Sequence, residues 1–346
     1  MSRRGAGDDR IGMKHGAGGR AMRALIEQIC LPGAAGAPAD GGIGLAAMDD
    51  GAAIRVGDAW LILTTDSHVV HPIFFPGGDI GRLAVCGTVN DLAVMGATAV
   101  TALTCAIILE EGFPRADLER VYASIRAACA EAGAPIVTGD TKVMGRGEID
   151  GLVINTAGVG FCDRPVPDAG LAPGDILIVT GTVGDHGMAI MAARHALSLE
   201  GALASDVAPV NGVVRAALEA GRCGVVAMKD PTRGGLSSAL HEMAQKSNVG
   251  ILVEESAVPV APDVRGASDL IGIDPLVMAC EGKVVIGVRP DAAAAVLAAV
   301  RAHPLGREAS AIGRCMEQHA GAVILDTGLG RRMLTESDGE PLPRIC

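Results

Sequence analysis

Six aspartates stand at the ends of apolar segments, where their carboxylates could act together. They are Asp49, Asp50, Asp66, Asp91, Asp140 and Asp230. Mg²⁺ prefers carboxylate oxygens combined with substrate phosphates and takes few protein ligands, so several converging aspartates predict a site for Mg²⁺ and a polyphosphate. Capping or turn chemistry explains any one aspartate equally simply. The prediction therefore requires at least three of them to converge.

Two glycine-containing polar segments predict phosphate binding. In Gly139-Asp140-Thr141-Lys142 the glycine permits close backbone approach and the lysine supplies a point charge, although an exposed turn lysine is an equal alternative. This segment lacks the spacing of a Walker A loop. In Lys229–Gly235, a Gly-Gly pair at a predicted helix start offers free N–H groups to an anion and Arg233 adds charge, beyond what a plain cap requires.

A glutamate and a cysteine are candidates for the reacting groups. Glu281, flanked by Cys280 and Gly282, is either a buried general base with a raised pKa or an exposed loop residue. The chain ends in Pro341-Leu342-Pro343-Arg344-Ile345-Cys346, and its two prolines predict an extended, mobile arm. Cys346 is expected to be exposed, because nothing near it in sequence could bury it. A thiol on such an arm could move between sites, whereas a frayed terminus with an accidental cysteine is the simpler alternative.

Composition narrows the class of protein. Of the 346 residues, 49% are apolar but only 2% aromatic, and the net charge is −11, which disfavours nucleic acid and anionic membranes as partners. No apolar run is as long as a membrane span, and no signal peptide is evident. The nine cysteines are scattered and form no CxxC pair, which indicates reduced thiols and a cytoplasmic protein.

These residues must be positioned by alternating strands and helices. Strands are predicted at 52–56, 59–65, 98–109, 136–138, 152–161, 176–180, 225–228, 250–253 and 283–288, with a terminal strand pair near Ala311 and Val323. Helices are predicted at 22–29, 80–95, 114–132, 212–220, 236–245 and 291–302, with another after Gly187. Hairpins and crossovers both occur, so the fold class is α+β or α/β in two domains. The Pro/Gly/Asp-rich stretch 163–175 marks the boundary, giving an extension and helix at 1–40, domains at 41–165 and 166–336, and a mobile tail at 337–346.

An ordered series of motifs resembles one known family. They are His15–Gly19, Thr64–His68, Phe75–Asp79, Gly87–Asp91, Glu110–Phe113, Val137–Val143, Lys229–Gly235, Glu281–Lys283 and Pro343–Cys346. Together they resemble the HypE family of hydrogenase maturation factors, the carbamoyl dehydratases, over about residues 13–346. The chain departs from the family's pattern at two places. Met48-Asp49-Asp50-Gly51 stands where the family has Gly-Asp-Asp-Ala, and Ala17 is inserted among the glycines of the first motif.

The resemblance implies an aminoimidazole ribonucleotide synthetase-like fold. Its N-terminal half-barrel domain, at 41–165, would bind ATP and pair in a homodimer, and its C-terminal α/β sandwich would complete the ATP site. A HypF-like carbamoyltransferase would load Cys346, ATP-dependent dehydration would convert the thiocarboxamide to a thiocyanate, and an iron-carrying HypC–HypD-like complex would receive the cyanide for a [NiFe] centre.

The resemblance also implies roles for individual residues. Mg²⁺ would be held by Asp50, Asp66, Asp91 and Asp230. The ATP site would comprise Asn90, Asp91, Asp140, Thr141, Lys142, Asp230, Arg233, Gly234 and Gly235. Catalysis would use Cys346, Lys142 to neutralise phosphate or an oxyanion, and Glu281 to remove the amide protons.

Two other functions are compatible with the sequence. One is a selenophosphate synthetase-like enzyme of the same fold that phosphorylates a small free substrate, for which Cys346 would be dispensable. The other is a non-catalytic maturation scaffold that would not bind ATP.

Overall fold

The structure is a computed structural model that describes residues 10–33, 38, 41–195, 203–336 and 344–346. Its helices are α1 (Gly19–Leu25), α2 (Ile80–Val94), α3 (Arg115–Ala132), α4 (Asp185–Arg194), α5 (Asn211–Gly221), α6 (Gly235–Ser247), α7 (Pro262–Ile271) and α8 (Pro290–Ala302). Its first seven strands are β1 (Ala52–Val56), β2 (Ala59–His68), β3 (Phe74–Phe75), β4 (Gly78–Asp79), β5 (Val100–Glu110), β6 (Ile136–Met144) and β7 (Leu152–Cys162). The remaining strands are β8 (Ile176–Val179), β9 (Val225–Lys229), β10 (Gly250–Glu254), β11 (Val285–Val288), β12 (Ser310–Met316), β13 (Val323–Asp326) and β14 (Arg331–Met333).

The first half of the chain forms a five-stranded sheet with the order β1-β2-β7-β5-β6. All neighbouring strands are antiparallel except β5 and β6, which are parallel. Burial alternates along β5 and β7, so one face of the sheet packs on helices. All nine residues of the edge strand β6 are exposed.

The edge strand β6 corrects one prediction. Gly139–Lys142 was expected to form a loop after a short strand at 136–138, but it lies inside β6. The β-branched residues around it favour a strand, and Gly139 lets β6 approach β5, since an added Cβ would lie 2.0 Å from the Cys105 carbonyl oxygen. Pairing with β5 therefore outweighs the turn signal of Gly139-Asp140.

The second half forms a seven-stranded sheet with the order β14-β13-β10-β12-β8-β11-β9. Helix α6 contributes to a hydrophobic core on one face, and α5 and α8 contribute to a separate core. This arrangement is the predicted α/β sandwich. Strands β12 and β13 lie on either side of β10, so the expectation that they pair with each other was wrong.

Helix α2 joins the two halves. It is apolar around its circumference and almost entirely buried, which is expected of a helix with neighbours on all sides. Leu92 belongs to the first hydrophobic core, whereas Ala93 and Val94 belong to a core of the second domain. Asp79 caps the helix, because its side chain accepts hydrogen bonds from the N–H groups of Gly81 and Arg82. No helix within the described ranges is long and apolar enough to cross a membrane.

The end of the chain does not behave as the sequence suggested. Residues 337–343 of the predicted tail lie outside the described residues. The last three residues lie against the protein, with Ile345 1% and Cys346 9% exposed. The expectation of an exposed Cys346 was therefore wrong, because burial comes from residues distant in sequence.

Candidate active site

A cavity of about 320 Å³ lies where the two domains, the first helix and the chain terminus meet. The first domain supplies most of the predicted aspartates, and the second supplies the Lys229–Gly235 segment and Glu281. The polar and thiol groups of its wall come from Asp49, Asp50, Thr64, Thr65, Asp66, Asp91, Lys229, Asp230, Thr232, Arg233, Glu242, Glu281 and Cys346. Five of the six predicted aspartates therefore converge, and the exception is Asp140.

The aspartates are short of positive charge. Burial, and then the charges of Asp230, Asp66 and Asp50, raise the pKa of Asp91 well above its usual range. Burial, followed by the charge of Asp50, raises the pKa of Asp230 to about 8. One carboxylate oxygen of Asp50 and one of Asp230 are buried and have no hydrogen-bond partner within the described part of the chain. Such a group favours a cation, since unpaired buried carboxylates are costly.

The aspartates do not form a complete cage for a metal ion. Among the described residues, no three His, Cys, Asp or Glu side chains are placed to hold an ion by themselves. Mg²⁺ normally completes its octahedron with water and substrate phosphates, and it needs one or two protein carboxylates. The partnerless oxygens of Asp50 and Asp230 fit that kind of shared site.

Lys229 is a counter-ion whose role was not predicted from the sequence. Its Nζ lies 2.5 Å from Asp50 Oδ1, 3.3 Å from Glu242 Oε2 and 3.6 Å from Asp168 Oδ2. Burial alone would lower the pKa of Lys229, but the charges of Asp50, Glu242 and Asp168 raise it well above normal. Lys246 extends the network through a contact of 2.6 Å with Asp168. A strand-end lysine followed by an aspartate was the only sequence signal, and Glu242 and Lys246 gave none.

Asn90 positions other residues and does not line the cavity. Its amide nitrogen donates to the carbonyl oxygens of Ala208 at 3.1 Å and Glu281 at 3.0 Å, and its oxygen accepts from the N–H of Val210 at 2.8 Å. The predicted contact of Asn90 with ATP has no support in this geometry. The Asn90 side chain, which lies on α2, instead holds the Glu281 backbone by a hydrogen bond.

Glu281 is the candidate base. It is 3% exposed, and its Oε1 has no hydrogen-bond partner among the described residues. Burial, and then the charges of Asp230 and Asp206, raise its pKa well above the usual range. Asp206 accepts hydrogen bonds from the N–H groups of Glu281 at 3.0 Å and Gly282 at 3.3 Å, which fixes the backbone here.

The Gly-Gly pair shapes the start of α6. Gly234 and Gly235 both have positive φ, of 79° and 61°. A Cβ at Gly235 would lie 2.4 Å from the carbonyl oxygen of Met278, so only glycine fits. Gly235 lines the cavity, and Gly234 is not among its lining residues. The N–H of Gly235 donates to the Thr232 carbonyl oxygen at 2.9 Å, so the N–H that the sequence predicted to be free at this residue is engaged in the turn.

Arg233 contacts the terminal thiol. Its NH1 donates to Cys346 Sγ at 3.3 Å. The charge at Cys346 is the main cause of a raised pKa for this guanidinium, and the charges of Asp66 and Glu281 add to it. Arg233 was predicted to bind ATP, which stays a prediction; it lines the cavity, and its described hydrogen bond is with the sulfur.

Besides Asn90 and Gly234, three predicted residues on β6 lie outside the cavity. Asp140, Thr141 and Lys142 are exposed on β6, and Lys142 Nζ lies 3.1 Å from an Asp140 carboxylate oxygen. The same contact lowers the pKa of Asp140. Within one chain, the structure does not bring these residues to the other site residues.

The domains and the cavity between them define the class of protein. The AIR synthase related protein families match the chain in order: the N-terminal domain family over residues 48–162 and the C-terminal domain family over residues 172–326. The predicted two-domain fold is thereby confirmed.

The particular family follows from full-length similarity. The chain is 46% identical over 341 residues to carbamoyl dehydratase HypE of Rhizobium leguminosarum bv. viciae, covering 97% of this chain and 95% of that one. A solved HypE–HypF complex contains a chain with a TM-score of 0.84 and 41% identity, covering 91% of this chain and 100% of that one. A HypE structure in complex with ATP has a TM-score of 0.80 and 41% identity, covering 97% of this chain and 100% of that one. The chain belongs to the HypE family of carbamoyl dehydratases and is an enzyme of that class, which confirms the resemblance.

Proposed function

We propose that this enzyme uses ATP to dehydrate an S-carbamoyl group on its own Cys346, and that the product serves hydrogenase maturation. The observation that carries the proposal is the position of the Cys346 sulfur, which lines the same cavity as the aspartates and Glu281. The cavity thus combines a carrier thiol, a carboxylate group suited to a nucleotide and its cation, and a candidate base. The family's HypE–ATP structure supports the choice of ATP.

The net reaction removes one oxygen and two protons from the thiocarboxamide. ATP transfers a phosphoryl group to the amide oxygen, which then leaves as phosphate while the carbon–nitrogen bond becomes a triple bond. The sulfur–carbon bond is retained, so the products are an S-cyano cysteine, ADP and phosphate. Phosphorylation is needed because an amide oxygen is otherwise a poor leaving group, and the protein contributes mainly position and charge.

The described side chains fit separate tasks in this reaction. Asp50, Asp66, Asp91 and Asp230 would hold Mg²⁺ together with the nucleotide phosphates, and the metal would neutralise phosphate charge. Glu281 would accept the amide protons, since its Oε1 is buried and no group in the described ranges forms a hydrogen bond with it. Arg233 would hold the sulfur in place. The start of α6 at Gly234-Gly235 would face a phosphate.

Lys142 can take part only if a second copy of the chain supplies it. The edge strand β6 is exposed along its whole length, and Val137 and Val143 are 63% and 66% exposed. An open, partly apolar strand edge is a natural surface for pairing. We infer a homodimer in which β6 adjoins the partner copy, so that Lys142 and its neighbours Asp140 and Thr141 reach the partner's nucleotide.

The carrier role requires other proteins. A HypF-like carbamoyltransferase would load Cys346, in agreement with a solved HypE–HypF complex. An iron-carrying HypC–HypD-like complex would take the cyanide. Residues 41–165 would form the ATP-binding and dimerisation domain, and residues 166–336 the C-terminal α/β domain. Residues 337–346 would be the tail that carries Cys346, and residues 1–40 an N-terminal extension and helix. We place the protein in the cytoplasm, because none of the nine cysteines, all of which the structure describes, forms a disulfide and the chemistry needs a reduced thiol.

Mass spectrometry of the C-terminal peptide tests the proposal. Incubation with the carbamoylating partner should add about 43 Da to the peptide, and ATP with Mg²⁺ should then remove about 18 Da, as the covalent changes require. Omission of ATP should leave the first product unchanged. If the carbamoylated peptide persists in the presence of ATP and Mg²⁺, the chain is not a dehydratase of this group. Loss of Cys346 should abolish the reaction, whereas an enzyme acting on a small free substrate would be unaffected.

A further inference from the structure

The last three residues lie in a binding site that we call the seat. It is formed by residues 69–71, Phe75, His186, Met188 and Arg194. The N–H of Val69 donates to the Cys346 backbone oxygen at 3.3 Å, and the N–H of His71 donates to the Arg344 carbonyl oxygen at 3.1 Å. The two contacts are two residues apart on each segment, and the two segments run in opposite directions. The chain end is therefore held through two backbone hydrogen bonds to residues 69–71.

Ile345 is the apolar anchor of this seat. Its side chain is 1% exposed and belongs to a hydrophobic cluster that also contains Val70, Phe75 and Met188. Burying an apolar side chain of this size favours binding through the surface it removes from water. The seat therefore discriminates by shape and polarity at the residue before the cysteine.

His186 forms a hydrogen bond with the backbone of Ile345. Its Nε2 lies 2.7 Å from the Ile345 carbonyl oxygen, and its Nδ1 lies 2.7 Å from Ser205 Oγ. A carbonyl only accepts, so Nε2 carries the proton and Nδ1 accepts from the serine hydroxyl. Burial lowers the pKa of His186, which favours this neutral form. The Phe75 ring packs edge-on against the imidazole at 5.4 Å and limits its rotation.

Arg344 is held on both sides. Its Nε donates to the Val69 carbonyl oxygen at 3.1 Å, and its NH1 contacts an Asp150 carboxylate oxygen. Arg194 donates to the Arg344 carbonyl oxygen at 2.9 Å and to the His71 carbonyl oxygen at 2.7 Å. Arg344 has a φ of 59°, an unfavourable value for this residue that the contacts around it offset.

From these contacts we infer that the seat recognises a peptide ending in Arg-Ile-Cys by itself, so that such a peptide can be a substrate when it is not part of the same chain. Each described contact that holds the chain end is made by one of residues 344–346. A separate peptide that ends in these three residues can make the same contacts. This inference rests on the proposed dehydratase function and adds the recognition element of its substrate, with His186 as a positioning residue.

A full-length variant with an emptied seat provides the test. The triple substitution Arg344→Gly, Ile345→Gly and Cys346→Ser removes the native occupant while keeping the chain length. A fluorescent peptide with the sequence of residues 341–346 is then titrated, and its anisotropy reports binding. We expect saturable binding to the triple variant. Binding to the wild-type chain should be at least about tenfold weaker, because its own tail competes at high effective concentration.

The catalytic arm uses the same peptide after S-carbamoylation with cyanate, in which the thiol adds across cyanic acid and no other reactant is needed. With ATP and Mg²⁺, the triple variant should convert it to the thiocyanate, with a loss of about 18 Da and release of phosphate. A peptide ending in Ile-Arg-Cys should neither bind nor react. Equal binding of both peptides would overturn the inference, as would no binding of the Arg-Ile-Cys peptide up to about 1 mM.

His186→Asn, placed in the triple variant, separates positioning from folding. Loss of one hydrogen bond and of ring packing should raise the half-saturating peptide concentration about tenfold and leave the KM for ATP unchanged. His303→Gln, in the same background, is the matched control, since His303 faces Leu305 and not the tail. An unchanged peptide affinity in the His186 variant would remove this residue from the seat.

The two proposals can fail separately. If the carbamoylated wild-type chain reacts in cis but the peptide neither binds nor reacts in trans, the seat inference is wrong and the dehydratase proposal stands. If the peptide binds with Arg-Ile-Cys selectivity but neither substrate is dehydrated, the proposed reaction is wrong and the seat remains.

Discussion

At the scale of single residues, the structure shows the surroundings of two charged side chains for which the sequence left the environment open. Glu281 was either a buried base or an exposed loop residue, and the structure buries it beside Asp230 and Arg233. Arg233 was assigned to phosphate by its position at a helix start, yet it contacts sulfur. Both residues line the cavity that Cys346 also lines, so each can be tested by substitution.

Replacing Glu281 by Gln should stop dehydration while leaving ATP binding intact. The amide keeps the size of the side chain but cannot accept a proton, and loss of a general base typically slows a reaction by about 10²–10⁴-fold. Single-turnover assays on the carbamoylated chain and a nucleotide-binding assay measure the two effects. Glu219→Gln, at an exposed position on α5, is the control and should behave as wild type. Full turnover by the Glu281 variant would exclude this residue as the base.

Replacing Arg233 by Met distinguishes a role at the thiol from a role at the nucleotide. If Arg233 positions the sulfur, the rate of dehydration should fall about 10–10²-fold with little change in the KM for ATP, because misplacing a reacting group affects the chemical step. Arg233→Lys should restore part of the rate, since it keeps a positive charge. A large rise in the KM for ATP with an unchanged kcat would instead support the original assignment to the nucleotide.

At the scale of elements, helix ends and strand ends bring the polar groups together. Helix α2 carries Asp91 into the space between the domains, and the β9–α6 turn carries Asp230 and Arg233 to the same place. The turn requires glycine at position 235, because any side chain there would clash with the Met278 backbone. The geometry of the turn, and not only its charge, is therefore required.

Gly235→Ala should destabilise the protein by more than about 2 kcal/mol, because a left-handed conformation alone costs about 1–2 kcal/mol for a residue with a Cβ and the steric clash adds to it. Denaturant unfolding measures the change. Gly266→Ala on α7 is a matched control, since an added Cβ there meets nothing within 4 Å. Because alanine favours a helix over glycine, the control should be neutral or more stable by about 1 kcal/mol. Similar stability of both variants would contradict the role given to Gly235.

At the scale of the whole molecule, one chain holds most of the site but not Lys142, Asp140 or Thr141. Their strand β6 is an exposed edge, and the outer surface nearby is partly apolar. If a second copy covers this edge, each cavity receives its lysine from the other subunit. This arrangement can be tested by combining two inactive chains.

Co-expressed Lys142→Ala and Glu281→Gln chains should complement each other. In a mixed dimer, the cavity of the Lys142→Ala chain keeps its own Glu281 and receives Lys142 from the partner, so random pairing should restore about a quarter of the wild-type activity. Each variant alone should be inactive. Absence of recovery, with mixed dimers demonstrated by mass spectrometry, would show that Lys142 does not act across the interface.

The sequence by itself determined the elements and the catalogue of reactive groups. Strand alternation, helix periodicity and turn chemistry are local properties, so the β1–β2 hairpin and the capped helix α2 were predicted within a few residues. Helix α7 was missed, because Gly266 and its polar neighbours weaken the helical pattern. The motifs also sufficed to indicate the family, since their order along the chain is a property of sequence.

Only the tertiary structure decided which groups meet. Cys346 is buried by residues more than a hundred positions away, and His186 contacts Ile345 across 159 positions. Lys229 is a counter-ion of Asp50, which is 179 positions away in the sequence. Contacts of this kind depend on how sheets and helices pack, and no local pattern encodes them. The terminal cysteine was predicted to be a carrier from the family resemblance, but the seat that receives it exists only in the folded chain.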